Sequence, residues 1–288
     1  MIQAVRQYFI ERDYLEVETP CRIPAPAPEC HIDAVSSGDW FLHTSPELCM
    51  KRLLAAGYPR IFQICKCFRH RERGNSHLPE FTLLEWYRTG IDYLRLMEEC
   101  ERLIRHIAFH LGCGDTIPRG HQVIHLTTPW ERITLKEAFT RYAPHSLEVA
   151  IQKDCFEETL TIHVEPHLGR TQPTFLYNYP LSMGALARPH REDPTVAERF
   201  ELYIAGMELA NAFSELTDTE EQRRRFLAEE EERRRLDKPP YPSPEPFLAD
   251  LAYMPAAAGI ALGLDRLAMI FSGVSRIDDV VAFTPEEL

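Results

Sequence analysis

Hydrophobic and polar positions alternate with period two through PEFTLLEWY, residues 79–87. A strand there puts Phe81, Leu83, Glu85 and Tyr87 on one face and Thr82, Leu84 and Trp86 on the other. Phe200 to Asp218, FELYIAGMELANAFSELTD, reads as a hairpin turning at Ala205-Gly206. A two-residue turn sets Tyr203 opposite Glu208 and makes Glu201 and Glu208 diagonal neighbours. Asn211, Phe213 and Glu215 have the opposite parity to Glu208, so a common face requires a bulge between Glu208 and Asn211. Gly259 to Ile270, GIALGLDRLAMI, predicts an apolar strand running through Gly263 into a helix that begins near Asp265.

Helical spacing of Leu94, Met97, Leu103, Ile104 and Ile107 predicts a helix over 92–110, and a second is expected over 135–142. Residues 111–129 are expected to form a loop. The run EEQRRRFLAEEEERRRLDK, 220–238, predicts a solvent-facing helix laced with ion pairs. The prolines at 239–246 stop it and carry the chain across the surface.

The polar residues change this picture from scaffold to site. Glu85 and the Tyr87 hydroxyl share a face with the flat Phe81, a face suited to a planar base beside a cationic group. The other reading is an amphipathic strand with one structural ion pair. Glu201 and Glu208 repel unless a cation lies between them, and two hard oxygen donors suit Mg2+ carrying phosphate oxygens. Here the alternative is an acidic hairpin edge kept soluble by charge. Arg266 opens a helix after Gly263, where free N–H groups and a fixed positive charge favour phosphate.

With 288 residues, 44% of them hydrophobic, the chain can bury the core of one α/β domain, 1–288. Its formal charge of −12 argues against a grip on many nucleic-acid phosphates, although a local basic surface at Lys51, Arg52, Arg60, Lys66 and Arg69 to Arg73 remains open. Eight cysteines invite a zinc or disulfide reading. Cys65 and Cys67 share a strand face, but no second pair with zinc spacing follows. Free thiols in a reducing cytoplasm are expected, since no segment reads as a signal peptide and no apolar run suffices to cross a bilayer.

The three segments, with the helix and strand of AVRQYFIERDYLEVETP at 4–20, resemble the signature motifs of class II aminoacyl-tRNA synthetases. Within that class, HTSPELCMKRLL at 43–54, PEFTLLEWY and ELANAFSELTD look like lysyl-tRNA synthetase, and the likeness covers nearly the whole chain. The first motif starts at the amino terminus, so no anticodon-binding barrel is expected before it. LEWYR at 84–88, VEPHLGRTQPTFLYNYP at 164–180 and Ala261, where the synthetases usually carry glycine, are similar to paralogues that attach lysine or β-lysine to a lysine of elongation factor P.

The resemblance implies a class II synthetase-like antiparallel sheet of six or more strands flanked by helices, and an enzyme that uses ATP and Mg2+. It implies Arg69 and Arg266 as catalytic residues, with adenine between Phe81 and Arg266 and His77 near the outer phosphates. His70, Arg71, Glu72, Leu78, Leu209 and Gly263 complete the nucleotide site, and Glu201 and Glu208 hold the metal. The side-chain ammonium of lysine is expected between Glu215 and Tyr87 with Glu85 nearby. Ser45, Pro46 and Glu47 meet the other amino group, and Asn211, Phe213 and Ala261 shape the pocket. A homodimer through Val5, Phe9, Leu15 and Val17 follows from the same likeness, ordinary core being the other role for those positions.

Two positions depart from the pattern. Arg71 stands where the family writes an acid that reads the adenine amino group, with Glu72 next to it as the substitute. Leu78 replaces an asparagine. Two alternatives remain open at this point: an aminoacyl ligase with another acceptor such as tRNA, and a non-catalytic module that binds an amino acid and regulates a partner.

Overall fold

The computed structural model describes residues 1–119, 122–127 and 129–288. Its centre is an eight-stranded sheet in the order Leu15–Glu16, Arg60–Phe68, Glu80–Thr89, Ala257–Gly263, Met207–Ser214, Val196–Ile204, Thr174–Pro180 and Glu131–Thr134. The inner pairs are antiparallel, as expected, whereas both edge strands pair in parallel, Leu15 with Ile61 and Glu131 with Thr174.

Side-chain alternation divides the sheet into two chemical faces. One row across it reads Phe62, Trp86, Ile260, Ala212, Phe200. These residues are almost fully buried, packed with the first helix (Ile2–Ile10) and the long helix Tyr93–His110. The neighbouring row on the opposite face reads Gln63, Glu85, Ala261, Asn211, Glu201. Register therefore converts a period-two pattern into a line of polar groups along one sheet surface.

The hairpin turns where expected, with Ala205 and Gly206 both at positive φ, 58° and 75°, as a two-residue turn matched to strand twist requires. Tyr203 pairs with Glu208 but Leu202 pairs with Ala210, so Leu209 is the extra residue of a bulge. The bulge lies inside the interval that parity demanded, and it brings Glu208 and Asn211 to the same face.

The long helix starts at Tyr93 with Asp92 as its cap, and the helix Leu135–Tyr142 carries a Thr134/Glu137 capping box. Four expectations need correction. Leu94 is 40% exposed, on the outer face of its helix. The loop expected after Leu111 contains a ribbon, Thr116–Arg119 with Gln122–His125, because Ile117 and Ile124 alternate inward to the core.

The charged helix, Thr219–Arg235, is not merely solvated. Arg233 is fully buried and donates to the carbonyl oxygens of Glu29 (3.0 Å), Ile32 (3.1 Å) and Pro239 (3.1 Å) while stacking on Tyr241. A guanidinium with five donors serves several loop carbonyls at once. In the first motif, Val5 and Phe9 are buried in the chain's own core, while Leu15 is 49% exposed. The motif's exposed large apolar side chains are Ile10 and Leu15.

Candidate active site

A cavity of about 580 Å³ lies over the polar face of the sheet. Its walls bring together Ser45, Glu47, Glu85, Tyr87, Asn211, Phe213 and Ala261 at one end. Arg69, Glu72, His77, Leu78, Phe81, Gly263 and Arg266 stand at the other, with Glu201, Glu208 and Leu209 between. Pro46, His70 and Arg71 do not line it. Arg71 is exposed at φ 61° on the turn after the Arg60–Phe68 strand, and the acid facing the cavity is Glu72, 3.7 Å from Arg69.

The end built around Ser45, Glu47, Glu85 and Tyr87 is anionic. Glu85 accepts from Ser45 Oγ at 2.5 Å and from Tyr87 Oη at 2.9 Å. Burial, then the charge of Glu47, pushes its carboxyl well above the usual range, and burial also keeps Tyr87 protonated as a donor. Glu215 is almost completely buried and sits behind the wall rather than in it. Lys51, expected on a basic surface, is instead enclosed, its Nζ 2.5 Å from Glu47 Oε1 and 2.6 Å from Glu215 Oε2. Burial alone would strip its charge, but the two carboxylates outweigh that and raise its pKa.

The second Glu215 oxygen, Oε1, has no protein partner. Burial raises this carboxyl against the pull of Lys51. A Cβ on Gly259 would come within 2.2 Å of the Tyr87 ring and 2.5 Å of that oxygen, so glycine alone fits this close approach.

The phosphate end is looser and made of loop and helix start. The Arg69 guanidinium lies over the Phe81 ring, 5.1 Å from its centroid. Arg266 donates to Ser76 O (3.1 Å) and Glu208 O (2.8 Å), and its Nη2 lies 2.5 Å from His77 Nε2. Burial and the Arg266 charge lower the His77 pKa, so the imidazole is neutral and accepts.

Glu201 is held by Tyr179 Oη (2.6 Å), Tyr203 Oη (2.7 Å) and Arg199 Nη2 (2.6 Å). Burial first, with a contribution from Glu208, raises its pKa despite Arg199. A divalent cation between the two carboxylates would reverse that penalty, so this donor set fits Mg2+.

Sequence reasoning missed Glu29, His31, Glu157 and Arg199 in the cavity wall. Arg199 shares parity with Glu201 and was legible; the others sit on a proline-rich loop and a short helix that carry no periodic signal. The cysteine reading also missed a third member. His43, Cys65 and Cys67 place their ligand atoms within 4.8 Å of one another. The ring Nε2 is 2.7 Å from Lys66 O, which a donated N–H explains without a metal. The basic surface is not continuous, because Arg52 pairs with Asp250 and Arg73 with Asp278 and Glu286. Among the described residues no helix is long and apolar enough to cross a membrane.

The model of tRNA synthetases class II (D, K and N) matches residues 1–287. An "Elongation factor P--(R)-beta-lysine ligase" of Pectobacterium carotovorum is 39% identical over 99% of this chain and 93% of its own length. A protein of the same name from Salmonella arizonae is 40% identical over 97% of this chain and 91% of its own. The polar sheet face, its cavity and these matches agree: the chain belongs to the class II tRNA synthetases of the D, K and N group.

Proposed function

We propose that this chain is an ATP-dependent ligase that adenylates lysine or (R)-β-lysine and transfers it to a lysine side chain of elongation factor P. The observation that carries the reading is the charge balance at the amino-acid end. Among Glu47, Glu85 and Glu215 stands one enclosed cation, Lys51, which pairs with Glu47 and Glu215, and Glu215 Oε1 lacks a partner. A substrate with two ammonium groups supplies the missing positive charge, and buried carboxylates are strongly stabilised by such partners.

The side-chain ammonium would meet Glu215, Glu85 and Tyr87, and the other amino group would meet Ser45 and Glu47. Arg69 would hold the α-phosphate and offset charge developing as the substrate carboxylate oxygen attacks phosphorus. Phe81 gives adenine a flat apolar face. Arg266 and His77 line the outer phosphates' path. Glu201 and Glu208 would hold Mg2+, which supplies charge neutralisation at the phosphates. In the second step the acceptor's lysine nitrogen displaces AMP and forms an amide.

Residues 1–288 would act as one catalytic body, in the cytoplasm, where a translation factor is met. The exposed Leu15 and Ile10 beside the first motif would form part of a homodimer contact.

The test is ATP–pyrophosphate exchange with lysine and with (R)-β-lysine, followed by transfer to elongation factor P. Exchange with either amino acid and mass gain on elongation factor P are expected. Exchange without that gain would transfer the reading to another acceptor, and no exchange from folded protein would overturn it.

A further inference from the structure

The carboxylates that line the cavity are almost all engaged. Glu47 is held by Lys51, Glu85 by Ser45 and Tyr87, and Glu201 by two tyrosines and Arg199. Glu208 meets Arg266, Glu72 meets Arg69, and Asp265 accepts from Thr82 N at 2.6 Å. Among the described residues only Glu29 and Glu157 face the cavity with side chains that accept from no protein group.

The two differ in position and support. Glu157 lies on the short helix Phe156–Thr159 and lines the cavity with Glu201, Arg199 and His31. Glu29 lines the same cavity as Glu47, Arg69 and Arg199. Its backbone is clamped from the charged helix on both sides: Arg233 donates to Glu29 O at 3.0 Å, and Cys30 N donates to Glu229 Oε2 at 2.9 Å. The same loop is tied down by Tyr241 Oη on Ala34 N at 2.8 Å. A fixed main chain that presents an unpartnered carboxylate suits a proton acceptor better than a structural ion pair.

Building on the ligase reading above, we propose that Glu29 is the general base of the transfer step, taking a proton from the acceptor's lysine ammonium beside the adenylate carbonyl. The carboxylate accepts one N–H proton and frees the nitrogen lone pair. That pair forms the C–N bond to the adenylate carbonyl carbon, and the bond from that carbon to the phosphate oxygen breaks with its electrons leaving on AMP. The second nitrogen proton leaves to water, and Glu29 returns its own proton to solvent. Burial, with Glu47 and Glu229 adding to it and Arg69 and Arg199 opposing, pushes the Glu29 carboxyl up to about 7. A base in that range is matched to neutral pH.

The experiment separates the two half-reactions. Wild type, Glu29→Gln and Glu157→Gln are compared in lysine-dependent exchange, in capture of the adenylate by hydroxylamine, and in transfer to elongation factor P from pH 6 to 9. Hydroxylamine is already neutral at pH 7 and needs no base, whereas a lysine amine does. For Glu29→Gln the ratio of transfer to hydroxamate is expected to fall by about 10²-fold at pH 7, and the deficit to shrink as pH rises. An unchanged ratio, a deficit independent of pH, or the same signature in Glu157→Gln overturns the assignment. Absence of exchange in the wild type instead overturns the ligase reading on which it rests.

Discussion

The two ends of the cavity are built on different principles. At the amino-acid end of the proposed site the polar groups sit on or next to strands and a helix, are buried or half-buried, and bind one another, as in Ser45–Glu85–Tyr87 and Glu47–Lys51–Glu215. At the phosphate end they come from a turn and a helix start, and Arg69 and Arg266 are partly exposed and hold local backbone or each other's neighbours. Buried, pre-paired groups discriminate strongly because any mismatch leaves a charge unsatisfied. Of the two departures from the family pattern, Arg71 is exposed and outside the cavity wall, whereas Leu78 is buried and lines it.

This contrast is broken most severely by Glu215→Gln, which removes the charge from the oxygen pair shared by Lys51 and the substrate. Loss of about 2–5 kcal/mol at a buried charge pair should cut lysine-dependent exchange by about 30-fold to 5,000-fold. ATP binding, followed by fluorescence of a nucleotide analogue, should change far less; equal loss would mean that the two ends are not separate. Lys51→Met should destabilise the fold by about 3–5 kcal/mol, because Glu47 and Glu215 are left as unpaired buried charges. Thermal unfolding measures this, and added lysine should restore part of the loss.

Ala261 lies in the polar row between Glu85 and Asn211. Ala261→Gly should shift the ratio of β-lysine to α-lysine exchange toward α-lysine by about 1–3 kcal/mol. An unchanged ratio would remove the methyl group from the account of specificity.

A gentler probe is pH. Burial pushes both Glu29 and Glu165 up to about 7 from an ordinary 4.5. Between those values the folded state holds protons that the unfolded state has released, so stability is greatest below the ordinary value and is lost as pH rises through about 7. The melting temperature should therefore fall from pH 5 to 8, and Glu29→Gln should flatten part of that slope. The smallest effect is expected from Arg71→Glu at the phosphate end. Because this side chain is outside the cavity wall, the KM for ATP should stay within about twofold, as for other exposed substitutions.

Much of the amino-acid end was legible because strands encode facing in parity. The faces of Phe81 to Tyr87, the turn at Ala205-Gly206 and the need for a bulge before Asn211 all follow from a period of two. Lys51 was not legible as a buried cation, since an i, i+4 Glu47–Lys51 pair looks the same on a solvated helix. Its second partner, Glu215, is brought near only by the sheet. Glu29 was invisible for the same reason: a proline-rich loop has no period, and its anchor Arg233 lies about two hundred residues away in a run that reads as solvated charge.

The bulge at Leu209 means that one strand keeps two phases. From Asn211 onward it presents its odd-numbered side chains to the cavity; before Leu209 it presents Glu208, an even-numbered one. In the proposed ligase the two reactants would read the same strand in different frames. A one-residue deletion there would realign the frames, keeping the hairpin while turning one reactant's ligands into the core.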